Sequence, residues 1–117
     1  PNINAALLVA QLENLDKLLK NKRVTAMSYR DYFNDKPHLF FEEPSNCKSN
    51  YWLNAIIMKD KDQRDLFLHE SNSKGVMTRP LWTVMDKLNM YQDAQCYELN
   101  NTYWFEDRVV NIPSSCN

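Results

Sequence analysis

The run Thr78-Arg79-Pro80-Leu81-Trp82 holds the side chains of this sequence best suited to gripping a ligand. An arginine at a strand end offers a planar fork of donors to a phosphate or carboxylate, and the nearby Trp82 offers a flat face to a base or a sugar. A second cluster, Lys48-Ser49-Asn50-Tyr51-Trp52, sets a cation, an amide and two aromatic rings at the mouth of an apolar segment. Polar groups there can meet a ligand or build a turn. Ser114-Ser115, after Pro113, could cap, turn or bind. A plainer reading fits the same residues, with Arg79 paired to one of the 15 acids and Trp82 in a core.

Other chemistries lack their parts. The two histidines, His38 and His69, lie far apart and at no ligand spacing from Cys47, Cys96 or Cys116, so neither a Cys–His or Ser-His-Asp arrangement nor a zinc site can be assembled. Three cysteines without a C-x-x-C pair suit a reducing compartment, and a cytoplasmic location is expected. Glu42-Glu43 sit side by side before Pro44, and adjacency alone gives no glycosidase geometry. Gly75 is the only glycine, which excludes a phosphate-cradling glycine loop or a dinucleotide fingerprint. Fourteen basic residues are interspersed with 15 acidic ones, so no basic face marks a nucleic-acid partner. No stretch approaches the ~20 apolar residues of a membrane span.

The elements that must position the two clusters follow from periodicity. Residues 4–33 contain neither glycine nor proline and predict one long helix, with Leu8, Leu12, Leu15 and Leu19 as a packing stripe and a start at Ile3–Ala10 that is apolar nearly all round. Leu39-Phe40-Phe41 predicts a short strand, and residues 51–58 a largely buried one. Asp60 and Gln63 resemble a capping box opening a helix to about Asn72, with Gly75 at its stop. A strand over residues 76–79 should end at Pro80. Weak helical periodicity covers 81–88, a short helix covers 101–107 with Asn100 or Asn101 as its cap, and a last strand covers 108–112. The expected fold is α+β: a long N-terminal helix, then a small, mainly antiparallel sheet with two or three helices, in a βαβ-like alternation.

Three stretches, in chain order, resemble one family, and a fourth points to a branch of it. Residues 1–13 (PNINAALLVAQLE) are similar to the helix that follows the cofactor domain of the DegT/StrS sugar aminotransferases. Residues 75–82 (GVMTRPLW) resemble their small-domain motif, residues 108–115 (RVVNIPSS) their closing segment, and residues 48–54 (KSNYWLN) point to the LegC-like branch. The resemblance implies a fold-type I enzyme using pyridoxal phosphate (PLP) to move an amino group, usually from glutamate, to a nucleotide-linked keto-deoxysugar, with a homodimer as the working form. It also implies that residues 1–117 are a single C-terminal small domain whose first 33 residues would connect to a large PLP-binding domain lying upstream.

No lysine here falls in the family's cofactor motif, so the expectation is no catalytic residue, no bound cofactor and no activity for this piece alone. By the same resemblance Thr78, Arg79 and Trp82 should approach the sugar nucleotide, with Lys48, Asn50 and Tyr51 as further contacts. The competing reading is a stand-alone interaction module, with the long helix and aromatic patches as its interface and no enzymatic role.

Overall fold

A computed structural model of the chain describes residues 2–116. Its elements are α1 (Asn2–Glu13), α2 (Leu15–Phe33), β1 (Leu39–Phe40), β2 (Asn54–Ile57), α3 (Lys61–Ser73), β3 (Arg79–Pro80), α4 (Asn100–Glu106) and β4 (Val109–Ile112), with two short 3₁₀ turns at Met85–Lys87 and Asn89–Tyr91. The four strands form one antiparallel sheet in the order β1-β2-β4-β3. The α+β class with a small antiparallel sheet is therefore as the sequence indicates. The alternation β2-α3-β3 is a split unit. Both of its strands run antiparallel to β4, which lies between them, so the two never pair.

One face of the sheet carries the core. Ile56 and Met58 of β2 and its end alternate with Val110 and Ile112 of β4, and all four are buried. Tyr29 and Phe33 of α2, Phe40 of β1, and Phe67 and Leu68 of α3 pack on them. Register places Phe40 beside Ile56, Ile56 beside Val110 and Val110 beside Pro80, so a single cross-strand row spans the sheet. The opposite face carries Ala55, Asn111 and Arg79 in the neighbouring row.

Several sequence expectations need correction. The long helix divides at Asn14, whose side-chain amide donates to the Ala10 carbonyl at 2.9 Å while its backbone N–H turns back to Gln11. A side chain has taken the acceptor that the helical ladder requires. The leucine stripe is not the face that meets the sheet: Leu8, Leu12 and Leu15 are exposed, and α1 buries none of its residues. The face of α2 that packs inward is Ala26, Tyr29 and Phe33.

The expected strand at 51–58 is only four residues long, because Ser49 Oγ and Asn50 Oδ1 accept the backbone N–H groups of Tyr51 and Trp52, both at 3.0 Å, and fold the chain into side-chain-stabilised turns. The expected strand over 76–79 shrinks to Arg79–Pro80, with Pro80 paired as its last residue. As an edge strand, β3 tolerates the missing N–H. Residues 76–78 instead follow the end of α3. Thr78 is buried, its Oγ1 2.6 Å from Ser71 Oγ and accepting from Asn72 Nδ2 at 2.9 Å. Helix α4 starts one residue earlier than expected, which puts Asn100 and Asn101 within its first turn, and no side chain caps it.

Other local signals are read as expected. Asp60 accepts the Gln63 N–H at 2.9 Å at the start of α3. At its end Gly75 has φ 79°, Val76 N–H donates to Ser71 O and Gly75 N–H to Asn72 O, a Schellman stop. An added Cβ at Gly75 would meet nothing within 4 Å, so conformation and not space demands the glycine.

The 41–53 loop is tied to α2 by a forked ion pair. Arg23 Nη2 and Nη1 reach the two Glu43 oxygens at 2.5 and 3.1 Å, Nη1 also donates to Ser49 O, and Glu43 Oε2 accepts the Ser49 N–H. The guanidinium stands over the Tyr51 ring, 5.4 Å from its centroid. This brace holds Tyr51 at φ 46°, a left-handed conformation that a bulky residue adopts only when its surroundings impose it.

Two outcomes test this construction. Ile56→Ala, at the middle of the core row, should cost about 2–5 kcal/mol in urea unfolding; a loss below about 1 kcal/mol would mean the row is not the core. The Arg23 guanidinium, and secondly the Ser49 N–H, hold the Glu43 carboxyl down to about 2 from its ordinary 4.5. A group depressed on folding stabilises fully above its unfolded value and loses that contribution as pH falls from 4.5 towards 2. Glu43→Gln should therefore lower the melting temperature at neutral pH and flatten its fall across that window. Parallel melting curves for the two proteins would contradict the brace.

Candidate functional site

The six residues singled out from the sequence do not gather in one place. Thr78 is the latch between α3 and β3 just described, and its hydroxyl is spent inside the chain. Tyr51 is buried, stacked on Phe40 with centroids 6.5 Å apart, and its hydroxyl accepts the Glu43 N–H. Lys48 and Asn50 are exposed beside α2, lining a wide open groove of about 770 Å³ with Arg23, Met27 and Asp31. Arg79 and Trp82 do come together, in an open cleft of about 490 Å³ closed by Leu53, Leu81 and Asn111.

Arg79 differs from the other arginines. Arg23 and Arg30 are held by Glu43 and Asp31, Arg64 by Asp65 and the Glu106 carbonyl, and Arg108 by the Lys59 and Trp104 carbonyls. Among the described residues Arg79 alone of the five has neither an ion pair nor a side-chain hydrogen bond. The plainer reading, in which it braces the domain through an acid, has no partner in the described structure. Trp82 is 70% exposed, so it is not a core residue either.

Sequence reasoning did not single out Lys22. It lies one turn before Ala26, on the inward face of α2, and its ammonium donates to the Trp52 carbonyl at 3.3 Å and to that of Ser114. Tyr29, on the same face, donates to Pro113 O at 3.0 Å. Ser114 Oγ in turn accepts the Asn54 N–H at 2.7 Å and donates to Ile112 O. The chain after β4 is thus fixed to both α2 and β2, and Ser114 proves to be structural, one of the roles left open for it. The signal available in the sequence was the spacing Lys22, Ala26, Tyr29, Phe33, a helical face beginning with a cation.

Trp82 also borders an apolar cavity of about 560 Å³ with Met85, Tyr91 and Leu99. Asp86 lies on its rim and accepts a hydrogen bond from the Tyr103 hydroxyl. That carboxylate first, and burial second, push the Tyr103 phenol up to about 12. Among the described residues no three His, Cys, Asp or Glu side chains are grouped to hold a metal ion, and no helix is long and apolar enough to cross a membrane.

Known proteins give this geometry a setting. The whole chain, residues 1–117, matches the DegT/DnrJ/EryC1/StrS aminotransferase family. A GDP-perosamine synthase of Vibrio cholerae is 31% identical over 118 residues, covering 97% of this chain and 32% of that protein. One from Escherichia coli O157:H7 is 27% identical over 114 residues, covering 97% and 30%. The chain spans about a third of the length of these relatives.

Among solved structures, a Streptococcus pneumoniae protein assigned as a sugar aminotransferase, in its PLP form, superposes with TM-score 0.86 at 18% identity over 97% of this chain and 30% of that one. A Helicobacter pylori aminotransferase of pseudoaminic acid biosynthesis does so with TM-score 0.81 at 21% identity, over 95% and 31%. At such identities the structures speak for the fold, and the family match speaks for descent. The chain belongs to the DegT/DnrJ/EryC1/StrS aminotransferase family.

Proposed function

We propose that this chain is the C-terminal small domain of a PLP-dependent aminotransferase that moves an amino group from an amino acid, glutamate, to a nucleotide-linked keto-deoxysugar, and that its part is to grip the nucleotide sugar. The observation that carries this is Arg79: an unpaired guanidinium at a sheet edge, sharing an open cleft with the exposed ring of Trp82. A fork of charged donors beside a flat aromatic face is what a phosphate joined to a base or sugar requires. The GDP-perosamine synthase relatives favour a GDP-linked sugar.

The cofactor is assigned to the rest of the enzyme. PLP supplies the electron sink of transamination, and it needs an enclosed lysine amine with an acid for its ring nitrogen. The residues described here do not fit it: eight of the nine lysines are exposed, and the half-buried Lys22 spends its ammonium on two carbonyls. In this reading Arg79 holds the phosphate, Trp82 covers the base or sugar, and the proton transfers occur on groups outside this chain. Of the other sequence candidates, Lys48 and Asn50 line the groove beside α2 and would meet substrate only from that side, and Thr78 and Tyr51 would act by holding the loops in shape.

Helix α1 completes the picture. Ile3, Leu7, Leu8, Val9 and Leu12 are each more than half exposed, an apolar surface of the kind that is covered in an assembly. We assign it to contact with the large domain and a homodimer partner, in a cytoplasmic enzyme.

Calorimetric titration of a GDP-linked keto sugar into the full-length protein and its Arg79→Ala variant tests the reading. Loss of one charge-assisted contact of about 1.5–3 kcal/mol should weaken binding roughly ten- to a hundredfold. Equal affinities would remove Arg79 from the site.

A further inference from the structure

Lys22 and Arg79 line the same cleft, an open space of about 330 Å³ between α2, the residues just before β2, β3 and the segment after β4. Its other walls include Trp52, Asn111, Pro113 and Ser115, and no acidic side chain lines it among the described residues. Neither cation has a carboxylate partner among the described residues. A chain with net charge -1 thus leaves two positive charges uncompensated in one concavity. Neutral carbonyls anchor the Lys22 ammonium without neutralising it. An ammonium has three donors, and Trp52 O and Ser114 O take two of them.

We propose that Lys22 and Arg79 form a two-cation cradle for a diphosphate, with the Ser115 hydroxyl at its rim. The proposal rests on the reading above and deepens it: the ligand group is the pyrophosphate bridge of the nucleotide sugar, approached by Arg79 from β3 and by Lys22 from α2. A single carboxylate, as on the amino-acid donor, would be neutralised by Arg79 alone and would leave Lys22 uncompensated. Two charges lining one cleft match a group bearing at least two. Lys22 is suited to the task because its carbonyl bonds hold the ammonium in place before the anion arrives, so little side-chain freedom is lost on binding.

Inorganic pyrophosphate, GDP, guanosine and glutamate, titrated separately into the full-length protein, test the cradle. Pyrophosphate and GDP should bind, each weakened about tenfold by Lys22→Gln and retained by Lys22→Arg, while guanosine affinity stays unchanged. Because Lys22 also ties α2 to the chain end, Ser115→Asp provides a second test: it sets a negative charge in the cleft without touching those carbonyl bonds and should weaken pyrophosphate binding by a similar factor. Unchanged pyrophosphate and GDP affinity in both Lys22→Gln and Ser115→Asp overturns the cradle, as does binding of glutamate in preference to pyrophosphate. If Arg79→Ala weakens GDP binding while those two variants do not, the cradle falls and the nucleotide-sugar reading stands. If none of the three has an effect, both fall.

Discussion

The pairing of β4 between β2 and β3 is the constraint from which the rest follows. The last strand of the chain is central in the sheet, so its burial of Val110 and Ile112 joins two parts of the sequence that have no direct pairing with each other. Its insertion also sets Asn111 beside Arg79 and carries residues 113–115 across the inward face of α2. The cleft whose two cations lack a carboxylate exists only once that strand is in place, because each wall comes from a different part of the chain. Such non-local closure carries a loop-entropy cost that local turns do not, and here the core row from Phe40 to Pro80 offsets it.

Around this frame, polar side chains decide where regular structure stops. Asn14 divides the first helix, Ser49 and Asn50 shorten β2 from its start, and Thr78 binds the end of α3 in preference to extending β3. At Asn14, Ser49 and Asn50 a short side chain takes a backbone group that a longer helix or strand would have used, and at Thr78 the bonds are to side chains of α3. The interruptions have a functional consequence under the proposed reading. With β3 only two residues long, Arg79 lies at the sheet edge and Trp82 falls just outside it, free to line the neighbouring cleft that it shares with Arg79.

Much of this was legible in the sequence where the cause is local. The Asp60 cap, the Gly75 stop and the α+β pattern depend on neighbours a few residues apart, and the family likeness is carried by contiguous motifs. What escaped depends on distance. The leucine stripe looked like a packing face because periodicity reports an amphipathic surface, never what covers it. Thr78 and Arg79 are adjacent, yet one is buried and the other exposed, a division set by the position of α3. Lys22 was passed over because its partners, Trp52 and Ser114, come from elsewhere in the chain and only the fold brings them near.

Chemical-shift mapping of the full-length protein with GDP tests the central claim most directly. The perturbed backbone and indole N–H signals should cluster at residues 52–53, 79–82 and 111–115, the three segments that β4 brings together. Perturbations centred instead on the groove beside Lys48 and Asn50, or on the cavity beside Met85 and Tyr91, would contradict it.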